Sequence, residues 1–185
     1  NKHAAKRPLF IGEDIERTAK YADKTNPNIN QMPAKYALHN QLPNVKGTVL
    51  WYAKAAVDNV GNYGSMLRNV YWKYPALQPS MPFIDGKAPK KVKRMKVLNI
   101  DGDMVLFWTA PSGKSWKDMA TKYVVYRFEK GQKTDISNPM NIITITSDTY
   151  LKLPYQDGTK EYTYAVTALD RMQNESKAVK KKVKL

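Results

Sequence analysis

From Val92 onward, apolar and polar residues alternate in short runs, and a period of two makes strands, not helices, the main element of that half. The alternation is clearest where Tyr162, Tyr164, Val166 and Ala168 interleave with Thr163, Ala165 and Thr167. Met104, Leu106 and Trp108 likewise share one face of a strand. Seven strands are expected, at 92–98, 104–109, 122–128, 141–146, 149–153, 161–169 and 177–185, with Asp101-Gly102-Asp103 turning the chain between the first two. Seven short strands separated by turn signals over about 100 residues predict a β-sandwich with Trp108 in its core.

Pro75, Pro79 and Pro82 mark the change of pattern. Each removes a backbone donor and fixes φ, so this stretch reads as an extended connector between an α/β part at 1–85 and a sandwich at 86–185. Upstream of it, 8–12 and 48–53 are short continuous apolar runs of the kind found in parallel strands buried on both faces. Helical stretches are expected at 15–22 and 32–42, with Pro33 in the first turn of the second and a turn-rich loop from Asp23 to Asn30 between them. Tyr63, Met66, Leu67, Val70, Tyr71, Tyr74 and Leu77 recur at helical spacing, with Asp58 or Asn59 as cap. Strand, helix, strand, helix predicts parallel β-α units. Two such units leave both edges of their strand pair open, so either partner chains cover them or more of the sheet lies upstream of Asn1; the second is preferred.

The second half resembles a fibronectin type III domain over 88–185. The resemblance rests on Trp108-Thr109-Ala110-Pro111, Tyr123-Val124-Val125-Tyr126-Arg127, the run from Tyr162 to Asp170, and Asn174-Glu175-Ser176, with Tyr162 at the position of a tyrosine corner. The first half, over 7–85, is similar to the C-terminal end of bacterial glycoside-hydrolase-family-10-like (β/α)8 barrels, a secreted group in which a type III module commonly follows. Its carriers are Pro8-Leu9-Phe10-Ile11-Gly12, the run from Val45 to Lys54, Arg68-Asn69, and the run from Tyr74 to Pro82. This resemblance implies that 9–12 and 48–53 are barrel strands seven and eight, that six β-α units are missing from the chain, and that the intact protein hydrolyses glycosidic bonds. It also implies a secreted, periplasmic or cell-surface location, although 1–6 carries no apolar signal segment.

Barrel enzymes place chemistry at the C-terminal ends of their strands, and glycoside hydrolysis uses two carboxyl groups there. Just past the first run stand Glu13 and Asp14; Glu13 is the catalytic candidate and Asp14 a substrate contact, and the alternative for both is to cap the following helix. Past the second run, Trp51 can stack on a sugar ring and Lys54 can hydrogen-bond a hydroxyl or carboxylate; alternatively Trp51 packs inside the fold. Strand alternation sets Trp51 and Ala53 against Tyr52 and Lys54. His3 and His39 have no partner at ligand spacing, so neither a metal site nor a Ser-His-Asp arrangement is expected, and no cofactor is called for. Asn174-Glu175-Ser176 spells a glycosylation acceptor but is read as a turn.

The 185 residues include no cysteine, which excludes disulfides and thiol nucleophiles, and no apolar run approaches a membrane span. With 31 Lys+Arg against 16 Asp+Glu the net charge is +15. Much of the excess lies in 87–96 and 177–184, where lysines on edge strands oppose edge-to-edge pairing. The expected partners are a polysaccharide, bound by the complete barrel, and the missing barrel segment or a second copy meeting the open strands. Nucleic acid is not expected, because no stacking platform accompanies the lysines. Two other functions stay open: a non-catalytic spacer or binding module, and polyanion binding by the lysine-rich strands.

Overall fold

In the computed structural model, which describes residues 7–20, 30–154 and 158–185, both early apolar runs form strands. The chain divides into two compact units, Asn1–Lys73 and Tyr74–Leu185. In the first, β1 (Leu9–Asp14) and β2 (Val45–Trp51) pair in parallel, with Phe10 opposite Gly47 and Asp14 opposite Trp51. Helices α1 (Ile15–Lys20) and α2 (Met32–Gln41) connect them. Asn30 Oδ1 accepts the Met32 N–H at 2.8 Å, and Pro33 sits in the first turn, where no donor is lost. The expected end of α1 at Ala22 and the loop from Asp23 lie outside the described residues, apart from Asn30.

The helix expected over 63–77 is shorter and broken. After α3 (Ala53–Val57), Asn59 and Asn62 take left-handed φ of 56° and 62°, which interrupts the helical path before α4 (Tyr63–Met66) and the π turn Leu67–Tyr71. The residue at the start of α4 is Asn62, which makes no side-chain cap bond, but Asn59 Oδ1 accepts the Ser65 N–H of the first turn at 2.8 Å. Gly64 allows α3 and α4 to touch backbone to backbone, since a Cβ there would stand 2.1 Å from the Ala56 carbonyl oxygen. Ile15, Met32, Tyr36, Ala55, Tyr63 and Leu67 form the buried core, with Leu50 of β2 packed on it. Phe10, Val49 and Trp51, on the other side of the strand pair, are 46%, 58% and 73% exposed. Among the described residues, helices therefore cover one face of the pair and leave the other open.

In the second unit β3 (Lys93–Ile100), β4 (Asp103–Thr109) and β7 (Tyr150–Lys152) form one antiparallel sheet. The other has the order β6 (Ile142–Thr146), β5 (Lys122–Glu129), β8 (Glu161–Leu169) and β9 (Val179–Lys184). All seven expected strands are present. Their inward residues, including Leu106, Trp108, Tyr123, Val125, Tyr162, Tyr164, Val166 and Val183, make the core between the sheets. The β3–β4 turn uses left-handed backbone at Asp101 (φ 50°) and Gly102 (φ 88°), residue types that reach this region readily.

The outer face of the four-stranded sheet is also apolar. Val124, Tyr126, Phe128, Ile142, Ala165 and Leu169 form a second buried cluster there, and Leu77 packs against it. The proline-rich segment is thus more than a connector. It lies on the sandwich, with the Met81 N–H donating to the Met172 carbonyl (3.0 Å) and the Asp85 carbonyl accepting from Asn174 Nδ2 (2.8 Å). Asn174 Nδ2 also donates to buried Asp170 Oδ2 at 2.9 Å, so the amide of the acceptor-like triplet is enclosed and occupied.

Burial raises the Tyr126, Tyr123 and Tyr164 hydroxyls above the ordinary tyrosine range, and for Tyr126 the Glu175 carboxylate, 2.6 Å away, adds to the effect. An acid whose folded pKa is raised contributes stability below its unfolded pKa of about 10 that is lost as pH rises beyond it. The sandwich is expected to lose stability above about pH 10. These tyrosines should ionise in the same step as unfolding, as read by tyrosinate absorbance alongside circular dichroism. Ionisation well before unfolding would contradict the burial argument.

Candidate functional site

Successive side chains leave a strand on opposite sides, and this separates the two carboxylates at the end of β1. Glu13 lies on the helix side, 3% exposed. Lys35 of α2 donates to its Oε2 at 2.7 Å and to Thr18 Oγ1 at 2.8 Å, while His39 Nε2 lies 3.5 Å from its Oε1. Both Glu13 oxygens are engaged, and a group that attacks a sugar needs an open approach. Glu13 does not cap α1 either. It ties β1 to α2.

His39 is therefore not isolated: its partner lies 26 residues upstream, beyond the reach of any local spacing rule. The usable signal was Lys35 and His39 themselves, one turn apart on a single helix face and both able to meet a carboxylate.

Asp14 takes the capping role. Its Oδ1 accepts the Arg17 N–H at 3.0 Å and its Oδ2 lies 3.5 Å from Arg17 Nε, in an exposed setting at the start of α1. By alternation it belongs to the open face with Phe10 and Gly12, and its register partner there is Trp51, on the neighbouring strand end. Phe10 lies across Gly47 on the same face. Trp51 does not pack inside the described fold; with Tyr52, 54% exposed and joined to it by a cis peptide, it stands at the C-terminal end of β2.

Lys54 lies beyond the strand, in α3, so strand alternation does not govern its direction. It pairs one turn along with Asp58, whose carboxylate hydrogen bond raises the ammonium above the ordinary lysine range. The structure thus brings Asp14 and Trp51 together on the open face and draws Glu13 and Lys54 into other contacts. Glu13, Asp14 and Asp58 each face a cationic side chain, Lys35, Arg17 and Lys54 respectively. No group of three His, Cys, Asp or Glu among the described residues could hold a metal ion. His3 lies outside them. No described helix is long and apolar enough to cross a membrane.

The chain is 34% identical over 179 residues to Glycosyl hydrolase YngK of Bacillus subtilis (strain 168), a match that takes in 95% of this chain and 34% of that protein. The chain spans about a third of the length of that curated relative. No protein-family model matches it. Among solved structures it is similar to a variant of FN3tt, at 19% identity and TM-score 0.39, over 52% of this chain and 94% of that one. It is similar to the central fibronectin-III array of RIM-binding protein at 11% identity and TM-score 0.39, over 52% and 36% of the two chains. The Clostridium perfringens spore cortex lytic enzyme SleM aligns at 13% identity and TM-score 0.37, over 52% and 28%. Over nearly its whole length, the three-plus-four-stranded sandwich of the second unit included, the chain is thus related to a protein named a glycosyl hydrolase.

Proposed function

We propose that this chain is the end of a carbohydrate-active (β/α)8 barrel followed by its fibronectin-type module, working outside the cell in a protein that hydrolyses glycosidic bonds. The observation that carries this reading is the continuous 34% identity across both units with a relative named a glycosyl hydrolase. The parallel β1–β2 pair supports it: helices cover one face, and the opposite face holds Phe10, Val49 and Trp51 in the manner of a barrel interior awaiting its other strands. That relative is about three times as long, which leaves room for six further β-α units.

In a closed barrel the open face is the inner one, so Trp51 and Asp14 stand at the mouth, at the strand ends where such folds bind substrate. Trp51 offers a flat apolar surface for a pyranose ring, and Asp14 a carboxylate for its hydroxyls. Glu13 then acts as a positioning residue that holds the end of β1 through α2, and the hydrolytic carboxylates come from the other strands.

The 185-residue chain is expected to release no reducing sugar from cell-wall glycans or chromogenic glycosides, whereas a longer product of the same gene should do so. Turnover by the short chain that disappears in Glu13→Gln would restore Glu13 as a catalytic residue and overturn the assignment. A longer gene product without further β-α units would overturn the barrel reading itself.

A further inference from the structure

We infer that the second unit carries a binding site for an acidic saccharide, formed where Trp116 of the β4–β5 loop (110–121) meets Arg171 of the β8–β9 loop (170–178). The proposal rests on the sandwich alone and does not depend on the barrel reading.

The two loops leave the same end of the unit, where the Thr121 N–H donates to the Leu169 carbonyl at 2.8 Å. Trp116 lies in the tight turn between Ser115 and Asp118, 53% exposed, the reverse of Trp108 at 4%. A large aromatic held at a loop tip contributes little to packing, and such exposure marks contact surfaces. Two cations sit against it: the Arg171 guanidinium lies 5.4 Å from the ring centre and the Lys117 ammonium 5.6 Å. Beside the same turn is a cleft of about 140 Å3 lined by Lys87, Lys90, Ser112, Lys114 and Asp118.

The charge balance of this end is one-sided. Lys87, Lys90, Lys114, Lys117 and Arg171 supply five cations, against the half-buried carboxylates Asp118, matched by Lys87 at 3.3 Å, and Asp85, which accepts the Lys87 N–H at 3.0 Å. Glu175 of the β8–β9 loop is spent on the Tyr126 and Thr167 hydroxyls. Asp170 is fully buried and spends Oδ1 on the Met172 and Asn174 N–H groups and Oδ2 on Asn174 Nδ2. Among the described residues, Lys90, Lys114, Lys117 and Arg171 have no ion-pair partner.

A half-exposed indole flanked by cations without ion-pair partners fits a sugar chain that bears carboxylates, its rings against the part of the indole that Arg171 and Lys117 leave exposed. A neutral glycan would leave the cations unused, and a polyphosphate would leave the indole unused. Nucleic acid would need a track of stacking residues, and the turn presents a single indole. The lysines of β9 offer the contrast. Lys180, Lys182 and Lys184 are exposed on an edge strand that contains no aromatic residue, which suits the edge-protection role.

The test is calorimetric titration of the full 185-residue chain with tetragalacturonate, with cellotetraose as the neutral ring control and tripolyphosphate as the charge control. Tetragalacturonate should bind and the two controls should bind at least about tenfold more weakly, a factor worth about 1.4 kcal/mol. Trp116→Ala, Arg171→Ala and Lys114→Gln should each weaken tetragalacturonate binding by roughly fivefold to tenfold, as for aromatic and arginine anchors elsewhere. All three positions are exposed, so unchanged melting curves should accompany the losses. Absence of tetragalacturonate binding at millimolar concentration overturns the proposal. So does tripolyphosphate binding of equal strength that Trp116→Ala leaves intact, or loss of binding only when Lys180, Lys182 and Lys184 are replaced by Gln.

Discussion

Trp108→Ala is expected to lower the unfolding free energy of the sandwich by about 3–5 kcal/mol, as large-to-small changes at buried aromatics do. The indole is 4% exposed, lies in the core between the sheets and meets the Tyr123 ring edge-on, with centroids 5.6 Å apart. Its N–H has no hydrogen-bond partner among the described residues, so the loss comes from transfer and cavity terms and not from a broken polar contact. At roughly 4–8 °C per kcal/mol for a unit of this size, the sandwich melting transition should fall by more than about 10 °C. Trp116→Ala is the internal control: the same chemical change at an exposed loop tip should leave that transition in place. A Trp108→Ala protein that melts with the parent would mean that β4 does not bury the face that carries Met104, Leu106 and Trp108.

The sandwich strands are readable in the sequence because each has one face in a common core. Tyr162, Tyr164, Val166 and Ala168 on β8 announce that face without reference to any other strand. The opposite face of β8 is harder to read. Ala165 and Leu169 are buried by a segment some ninety positions upstream, and nothing local distinguishes Leu77 on a sheet from Leu77 in a linker. The prolines do set an extended backbone, but extension is equally what a covering segment needs. The same limit applies to the helix after β2. Its apolar spacing from Tyr63 to Tyr71 is genuine, whereas the left-handed turns at Asn59 and Asn62 depend on packing of α4 against α3 through Gly64.

The candidate site divides in the same way. The two apolar runs place an aromatic and a carboxylate at strand ends, and parallel register makes Trp51 and Asp14 partners. Choosing between the adjacent carboxylates needs the side of the strand, and only tertiary structure supplies it. An acidic residue after a strand reads identically whether it faces a substrate or a lysine on the helix behind it.

That choice gives the second large effect. Lys35→Met should destabilise the first unit by about 3 kcal/mol, because it leaves the buried Glu13 carboxylate without its ammonium partner, with only the His39 ring 3.5 Å away, and Thr18 Oγ1 without its donor. The value sits at the low end of the range for broken buried pairs, since the Lys35 side chain is 36% exposed and water can replace part of the loss. Glu13→Gln should cost less: the amide keeps a carbonyl oxygen facing the ammonium and removes the buried charge. The informative protein is the double variant Glu13→Gln/Lys35→Met, which should be more stable than the sum of the two single losses predicts, because the second change removes the charge that the first strands. Denaturant unfolding of all four proteins measures this coupling directly, and additive losses would show that the pair does not act as a unit. If the proposed barrel reading holds, turnover by a longer gene product separates the two roles available to Glu13. A positioning residue loses activity in proportion to the displaced strand end, so the double variant should recover part of what Lys35→Met alone removes. A nucleophile would leave every Glu13→Gln protein inactive, whatever stands at position 35.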